Sequence, residues 1–352
     1  MYEAFWKSAG AAADISIASW TSLSYFSDVT NLCWFLEPQL AHQIRRLHRL
    51  VGNAVAGEDR FIIVGTGSSQ LFQAALYALS PPDAAEPMSV VSLAPFYSTY
   101  PPLTDYLRSP LHKWAGDASK FAGDRYIELV CTPNNPDGSI REAVLCSGEG
   151  KTVHDLAYYW PQYTPITHPA DHDIMLFTLS KTTGHAGSRI GWAVVKDRAV
   201  AKRMIQYIEL NTIGVAREAQ LRAAKILQLV SDGYESPNPD KEMKLFDFGR
   251  QKLAARWHKL TEAVQASGIF TAPSFEPAFC NFTGDVSENL PAFAWLKCEK
   301  EEVEDLESYL KEKGIMVRGG SRFGKEARYA RVSMVDHDEA FDLFVQRLAA
   351  MS

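Results

Sequence analysis

The stretch RFIIVGTGSSQLFQAALYALS, residues 60–80, indicates the fold class of this chain. It begins as an apolar run, turns tightly at Gly65-Thr66-Gly67, and continues with the apolar spacing of a helix. A strand that leads through a glycine turn into a helix is a building unit of α/β proteins. The stretch therefore predicts an α/β fold in which this turn lies at one edge of a sheet.

Further strand and helix patterns alternate on both sides of this unit. Their order favours a mostly parallel central sheet flanked by helices. The helical patterns cover residues 37–55 and, as one long element, residues 198–230. The apolar strand candidates are SVVSLAPFY (89–97), YIELVC (126–131), KTVHD (151–155), DIMLFTLSK (173–181) and IGWAVV (190–195).

The pattern of the sequence changes near SDGYESPNPD, residues 231–240, where turn-forming residues cluster. Beyond this point helical patterns alternate with short strand patterns, which predicts a smaller α+β domain. We expect a large domain over residues 28–232 and a small domain formed by residues 1–27 and 233–352. The later patterns are helices at 248–268 and 299–314, strands at 292–298, 315–320 and 329–335, and a terminal helix.

The composition narrows the function classes. The 352 residues are 46% hydrophobic and 22% charged, with a net charge of −6, so neither nucleic acid nor a membrane surface is an expected partner. No apolar stretch reaches membrane-spanning length. Five cysteines without a C-x-x-C spacing predict no disulfide framework and no metal site, and they favour a reducing, cytoplasmic location.

The glycine turn is a candidate phosphate site. Free amides at a helix N-terminus, beside the hydroxyls of Ser68 and Ser69, suit an anion. A dinucleotide site of an oxidoreductase looks similar, but Gln70 occupies the third-glycine position and no acidic residue closes a second strand. Taken alone, the turn leaves both a phosphate site and a plain strand–helix connection open.

Lys181 and Asp155 are the main chemical candidates because each follows or ends an apolar strand, where α/β sheets bind ligands. Burial and neighbouring cations would lower the pKa of the lysine and make it a nucleophile. The aspartate could keep a pyridine nitrogen protonated. This pairing is typical of pyridoxal phosphate sites. The structural alternatives are a loop lysine and a helix N-cap aspartate.

Four further positions fit the same cofactor. Tyr158 and Asn135 could donate to the phenolic oxygen of the ring, although Asn135-Pro136 also has the character of a turn. Arg189 and Ser180 could bind the phosphate together with the serines of the glycine turn. The sequence thus predicts one pyridoxal phosphate site assembled from several strand ends.

An ordered set of motifs resembles the fold-type I enzymes that use pyridoxal phosphate. The set is similar above all to the plant tryptophan aminotransferases of auxin synthesis, which are related to alliinases. FSDVTNLCWFLEP and HDLAYYWPQYTPIT are the most specific segments, and the resemblance runs through nearly the whole chain. The shared motifs are GTGSSQ, PFYSTY, PNNPDG, HDLAYYW and SKTTGHAGSRIGW.

The resemblance implies a role for each candidate. Lys181 matches the lysine that forms a Schiff base with the cofactor, and Tyr97 matches the aromatic residue that stacks on the ring. Arg331, assisted by Asn135, matches the arginine that binds the substrate carboxylate, with a solvated strand-edge arginine as the alternative. Tyr25 matches a tyrosine that reaches the phosphate from the neighbouring subunit of a homodimer. The implied catalytic residues are Lys181, Asp155 and Tyr158, and the other cofactor ligands are Ser68, Ser69, Asn135, Ser180 and Arg189.

The resemblance implies an aminotransferase that follows a ping-pong mechanism. It would convert L-tryptophan and pyruvate into indole-3-pyruvate and alanine, the first step of auxin biosynthesis by that route. An alliinase-like C–S lyase acting on S-substituted cysteines is the alternative, because it would use the same residues. Aromatic residues near the motifs could hold an indole or belong to the core; they are Trp20, Phe26, Trp34, Phe35, Tyr159 and Trp160.

Overall fold

The computed structural model describes residues 1–146, 148–236 and 244–351. The helices of these residues are α1 (Glu3–Ala9), α2 (Pro38–Val51), α3 (Gly67–Leu79), α4 (Tyr100–Asp105), α5 (Leu179–Thr182), α6 (Arg198–Thr212), α7 (Arg217–Glu235), α8 (Leu245–Ser267), α9 (Leu306–Glu312) and α10 (Asp338–Ala349). None of them combines the length and apolar character needed to cross a bilayer.

The strands follow the same alternation. They are β1 (Phe61–Gly65), β2 (Met88–Ser92), β3 (His112–Asp117), β4 (Tyr126–Cys131), β5 (Lys151–Asp155), β6 (Ile174–Thr178), β7 (Gly191–Val195), β8 (Phe270–Thr271), β9 (Ala278–Cys280), β10 (Asp285–Ser287), β11 (Phe293–Cys298), β12 (Arg318–Gly319) and β13 (Tyr329–Ser333).

The central sheet has seven strands in the order β1-β7-β6-β5-β4-β2-β3. Strands β2 to β6 pair in parallel, and β7 is antiparallel to both of its neighbours. The predicted α/β fold with a mostly parallel sheet flanked by helices is confirmed. Edge strand β3 was missed because HKWAGD is only partly buried and shows no strong apolar pattern.

The ends of several strands meet at one edge of this sheet. Strand β1 runs in the same direction as β4, β5 and β6 because β7 is antiparallel to both β1 and β6. Gly191, which begins β7, pairs with Gly65 and with Thr178. A Cβ atom at Gly191 would lie 2.7 Å from the backbone nitrogen of Ser68, so only glycine lets the start of α3 approach this edge.

A four-stranded antiparallel sheet, in the order β12-β13-β11-β8, follows the large sheet in sequence, and α8 and α10 accompany it. This arrangement has the α+β character expected for the later part of the chain. Helix α1 packs against α8 through Phe5, whose ring centroid lies 5.6 Å from that of Phe248 in α8. The division at residues 28–232 stays a prediction.

The single long helix predicted over residues 198–230 is wrong, because α6 and α7 are separate helices. Ile213 adopts a left-handed conformation with φ 53° and caps α6, its N–H donating to the carbonyl of Glu209. Gly214, with φ 97°, lies where a Cβ atom would be 2.8 Å from Phe35. The chain turns here because glycine tolerates both the left-handed backbone and the close contact.

Two smaller boundaries also differ. The turn cluster predicted from residue 231 is still helical to Glu235, and its residues 237–240 lie outside the described residues. The charged helix predicted from residue 299 begins only at Leu306. Asp305 caps it by accepting a hydrogen bond of 3.0 Å from the backbone N–H of Glu307, since aspartate is favoured at this position.

Candidate active site

Lys181 lies just beyond the end of β6, in the one-turn helix α5. The side chain of Thr178 begins this turn by accepting a hydrogen bond from the backbone N–H of Ser180. The lysine is half-buried, and its ammonium group has no hydrogen-bond or ion-pair partner within residues 1–146, 148–236 and 244–351. Its Nζ atom lies 5.7 Å from the ring centroid of Tyr158 and 5.8 Å from that of Phe293.

The surroundings lower the pKa of Lys181. Burial has the largest effect, the charge of Arg331 lowers the pKa further, and the charge of Asp155 opposes the change. Because the neutral amine is the reactive form, this environment makes Lys181 a better nucleophile and base than an exposed lysine.

Hydrogen bonds to the backbone hold the turn that carries Lys181. Tyr163 donates its hydroxyl to the carbonyl oxygen of Lys181 at 3.0 Å, and the amide of Gln162 donates to that of Thr182 at 3.1 Å. The indole of Trp6 donates to the carbonyl of Thr183 at 2.9 Å. The sequence patterns did not identify these residues, because they act on backbone groups of a distant segment.

Asp155 ends β5 at the same edge of the sheet. Its Oδ2 atom accepts a 2.9 Å hydrogen bond from the hydroxyl of Tyr100, and Oδ1 accepts one of 3.2 Å from the backbone N–H of Ala157. Burial raises the pKa of Asp155, whereas both hydrogen bonds and the charge of Lys181 lower it. No helix follows β5 directly, so Asp155 is not a helix N-cap.

Tyr100 is a site residue that sequence reasoning missed. It begins α4, and its buried ring stacks on Phe72, with centroids 5.4 Å apart. It also meets the ring of Tyr97 edge-on at 5.4 Å. The available signal was the spacing in PFYSTY, which places Tyr100 three residues after Tyr97 and thus about one helical turn away.

Two hydrogen bonds connect Tyr158, Asn135 and Arg331. The amide of Asn135 donates to the hydroxyl of Tyr158 at 3.4 Å, and its Oδ1 atom accepts a 2.9 Å hydrogen bond from Arg331. The Arg331 guanidinium lies 4.0 Å from the ring centroid of Phe293 and 5.3 Å from that of Phe323. Arg331 is therefore not a solvated strand-edge arginine.

The Arg331 guanidinium could bind an anion. Burial lowers its pKa to about 10, so it stays charged near neutral pH. Its Nε atom is buried and has no hydrogen-bond partner among the described residues. A buried donor without a partner is costly, and a bound carboxylate would satisfy it.

Arg189 lies at the N-terminus of α3, where the sequence predicted a phosphate site. It has a left-handed backbone with φ 49°, and it donates to the Ser180 hydroxyl at 3.4 Å and to the carbonyl of Ala186 at 2.9 Å. A Cβ atom at Gly67 would overlap its guanidinium. Gly67 therefore leaves space for the Arg189 guanidinium, which brings Arg189 and Ser180 to the backbone just before Ser68.

Two predicted cofactor ligands are not held in this cluster. Ser69 is exposed, and Tyr25 is 71% exposed; neither side chain forms a hydrogen bond with the part of the chain that the structure describes. Tyr25 lines a surface hollow with Ile213 and Arg217. Its contact with the phosphate of a neighbouring subunit stays a prediction.

Four of the six aromatic candidates for an indole surface separate into two groups, whereas Tyr159 is buried and Trp34 is half-buried. Phe35 and Trp160 are 2% and 0% exposed, which confirms for these two residues the alternative that they belong to the core. Trp160 stacks on the ring of Phe246. Trp20 and Phe26 are largely exposed instead. The rings of Tyr158 and Phe293 lie near the Lys181 amine, Phe323 lies near the Arg331 guanidinium, and Tyr97 meets Tyr100.

A mostly parallel seven-stranded sheet, with its strand ends bearing a half-buried lysine and a half-buried aspartate, defines the fold-type I class of pyridoxal phosphate enzymes. A methionine aminotransferase from Escherichia coli has this fold, with a TM-score of 0.68 and 15% sequence identity over 95% of this chain and 87% of that one.

The chain belongs to the allinase family, whose family model matches residues 1–352. Tryptophan aminotransferase-related protein 2 from Oryza sativa subsp. japonica is 60% identical over 363 residues, which cover all of this chain and 71% of the relative. Alliin lyase 1 from Allium sativum is 37% identical over 360 residues, 99% of this chain and 72% of the relative. The resemblance inferred from the motifs is confirmed.

Proposed function

We propose that this protein is a pyridoxal phosphate-dependent aminotransferase that moves the amino group of L-tryptophan to a 2-oxo acid such as pyruvate, in the first step of auxin synthesis through indole-3-pyruvate. The observation that carries the proposal is the Lys181 amine, which is half-buried, has a lowered pKa and has no hydrogen-bond or ion-pair partner within the described residues. Such an amine is suited to covalent catalysis and to proton transfer.

The residues at the site fit the cofactor. Lys181 offers an amine to an aldehyde, Asp155 offers a carboxylate to a ring nitrogen, and Arg189 offers a cation to a phosphate at the start of α3. The cradle between Gly67 and Arg189 would be filled by any Cβ atom at position 67. Tyr158 and Asn135 would hold the ring oxygen, and Tyr97 would cover the ring face.

The chain's own groups then perform the proton transfer. When bound, pyridoxal phosphate supplies a ring that accepts the electron pair left at Cα of the amino acid. Lys181 Nζ takes the Cα proton as general base. Asp155 would offer its carboxylate to the ring nitrogen, and the hydrogen bonds from Tyr100 and Ala157 favour the charged form of that carboxylate against the effect of burial. The rings of Phe293 and Phe323 shield the Arg331 guanidinium from water while it holds the substrate carboxylate.

The preference for tryptophan is supported by the name of the rice relative and by the aromatic rings around the site. An indole could pack against Tyr97 or Phe293 in an offset or edge-on geometry. A homodimer is supported by the exposed apolar side chains around Tyr25, which include Leu23, Phe26 and Val29, because such patches mark interaction surfaces. The cytoplasmic location stays a prediction.

A C–S lyase is the second candidate, because the chain is also similar to an alliin lyase. A lyase would expel the β-substituent after the same proton removal at Cα. The residues that bind the cofactor and remove the proton serve both reactions, so only the products distinguish them.

A half-reaction separates the two functions. Purified holoenzyme mixed with L-tryptophan and no 2-oxo acid is expected to release one equivalent of oxo acid per site and then stop, because the amino group stays on the enzyme. The visible absorbance of the cofactor should fade in parallel. Continuous pyruvate release from an S-alkyl-cysteine sulfoxide without an added acceptor would instead establish the lyase.

Tyr100→Phe tests the support of Asp155. The variant keeps the ring that packs on Phe72 but loses the hydroxyl, so the pKa of Asp155 should rise further. The carboxylate should then become protonated at a higher pH than in the wild type. We expect kcat to fall about 10-fold to 100-fold with little change in KM, since a hydrogen bond to a charged group contributes roughly 1.5–3 kcal/mol. The acidic limb of the kcat–pH profile should shift upward.

Tyr234→Phe is the matched control for this prediction. Tyr234 also donates its hydroxyl to an aspartate, Asp247 Oδ1 at 3.3 Å, but outside the site. This variant should leave kcat and its pH profile unchanged. A normal profile in Tyr100→Phe, or the same shift in both variants, would contradict the role of Tyr100.

A further inference from the structure

Arg141 follows the Asn135 turn, which comprises residues 133–139, and its side chain is only 11% exposed. Its Nη1 atom donates to the carbonyl oxygen of Leu93 at 2.7 Å and to that of Pro95 at 2.9 Å. Both carbonyls belong to the Tyr97 segment, residues 93–97, which lies between β2 and α4. Arg141 therefore binds a segment of the chain that lies 46 to 48 positions earlier.

The remaining donors of Arg141 bind the Asn135 turn itself. Its Nε atom donates to the Ser139 hydroxyl at 2.9 Å, and its Nη2 atom donates to Asp137 Oδ2 at 2.8 Å. Asp137 Oδ1 in turn accepts a 2.7 Å hydrogen bond from the side-chain amide of Asn134. The same amide donates to the Pro95 carbonyl at 2.9 Å, so two side chains connect the turn to the Tyr97 segment through one acceptor.

The two connected segments carry the groups that would contact different parts of the cofactor ring. Tyr97 would cover the ring face, and Asn135 would donate to the ring oxygen together with Tyr158. The Tyr97 segment also leads to Tyr100, whose hydroxyl donates to Asp155. Within the described residues no hydrogen bond joins Tyr97 to Asn135, so their spacing depends on the groups that connect their segments.

Arg141 is not available as a ligand. An arginine has five N–H donors in one rigid plane, and four of those of Arg141 already have acceptors in the two segments. Arg331 differs, because its Nε atom has no hydrogen-bond partner among the described residues. A planar group that binds several acceptors at once fixes their relative positions, which an ammonium group does less well.

We propose that Arg141 is a positioning residue for the cofactor, and that it holds the Tyr97 segment and the Asn135 turn at the spacing that the ring requires. The inference rests on the proposed function, because it takes the cofactor ring to lie against Tyr97 and Asn135. Groups that are in place before a ligand binds need not be ordered on binding, so the loss of Arg141 should weaken cofactor affinity.

Equilibrium dialysis of the holoenzyme against a dilution series of pyridoxal phosphate tests the inference without turnover. Arg141→Met removes all the donors but keeps an unbranched chain, and its Kd for the cofactor should be about tenfold higher than that of the wild type. Arg141→Lys keeps the ion pair with Asp137 but cannot reach every acceptor from one nitrogen atom. Its Kd should lie between those of the wild type and Arg141→Met.

Arg203→Met is the matched control. Arg203 also donates to two backbone carbonyls, those of Tyr77 at 3.0 Å and Ser80 at 2.6 Å, at the end of α3 that lies away from the glycine turn. This variant should lower the midpoint of thermal unfolding but leave the Kd for pyridoxal phosphate unchanged. Equal losses of affinity in Arg203→Met and Arg141→Met would overturn the inference, because they would reflect general destabilisation.

A double-mutant cycle shows whether Arg141 acts through the two ring contacts. When Tyr97→Ala and Asn135→Ala are already present, Arg141→Met should change the Kd by less than about threefold, since no ring contact is left to position. A full loss in that background would overturn the inference, because Arg141 would then act on the cofactor by another route.

The visible absorbance of the bound cofactor is a second readout. Donors to the ring oxygen compete with a proton for its negative charge, so a displaced Asn135 lets the cofactor keep its proton to a higher pH. The pH midpoint of the absorbance change should rise by about one unit in Arg141→Met and should not move in Arg203→Met. A wild-type midpoint together with a wild-type Kd in Arg141→Met would overturn the inference.

Failure of the proposed function would have a different signature. A wild-type holoenzyme that binds pyridoxal phosphate but shows no tryptophan half-reaction would contradict the aminotransferase, and the Kd values of the Arg141 variants would still decide the inference. The inference alone fails when the wild type completes the half-reaction and Arg141→Met binds the cofactor as tightly as the wild type. A wild type that binds no pyridoxal phosphate would overturn both.

Discussion

Lys181→Met is expected to lose turnover by a factor on the order of 10⁴, the upper range for removal of a general base. The variant lacks the amine that we propose both binds the cofactor and takes the Cα proton. Methionine fills a similar space, so the packing against Tyr158 and Phe293 should remain. Steady-state kinetics with L-tryptophan and pyruvate, together with the absorbance of added cofactor, measure the loss.

The same variant should be more stable than the wild type when both are free of cofactor. The folded state holds the pKa of Lys181 below that of the unfolded chain, so the unfolded chain binds more protons between the two values. The free energy of unfolding of the wild type therefore rises with pH between these two pKa values, of which the upper one is that of an unperturbed lysine, about 10.4. Thermal unfolding should show a higher midpoint for Lys181→Met at pH 7 and a smaller difference at higher pH.

Lys259→Ala is the control, because Lys259 is an exposed lysine that pairs with Asp342 on the surface. It should change neither turnover nor the pH dependence of unfolding by much. Near-normal turnover in Lys181→Met would refute the proposed role, and a lower unfolding midpoint would refute the unfavourable environment of the amine.

Asp155→Asn is expected to lower kcat about 10²-fold to 10⁴-fold with the cofactor still bound. Asparagine has nearly the same shape, and its amide oxygen can accept the hydrogen bond from the Ala157 N–H while its NH2 group donates to the Tyr100 hydroxyl. It has no negative charge, however, so a protonated ring nitrogen next to it would lose its charge-assisted hydrogen bond. The electron pair left at Cα would then be poorly stabilised.

Asp247→Asn serves as the control for this second prediction. Asp247 is also partly buried, with its pKa raised by burial and a tyrosine hydroxyl as partner. This variant should keep normal kcat. Turnover of Asp155→Asn within threefold of the wild type would show that the carboxylate does not act on the cofactor ring, and the pairing of Asp155 with Lys181 would then need another explanation.

Local patterns were enough to predict the α/β fold and the edge of the sheet at which Lys181, Asp155 and the glycine turn meet. Apolar runs mark strands, and the residues that end parallel strands must lie at one edge. The break between α6 and α7 was not predicted. Its left-handed residue is an isoleucine, and the accompanying glycine is explained by contact with Phe35, far away in sequence.

The order of apolar runs and turns along the sequence by itself determined the sheet, the strand ends and the chemical types available there. Only the tertiary structure decided which side chains became partners. Tyr100 and Asp155 are 55 positions apart, and Asn135 and Arg331 are 196 apart. The hydrogen bonds that support the carboxylate depend on strand register and packing, which short-range periodicity does not encode.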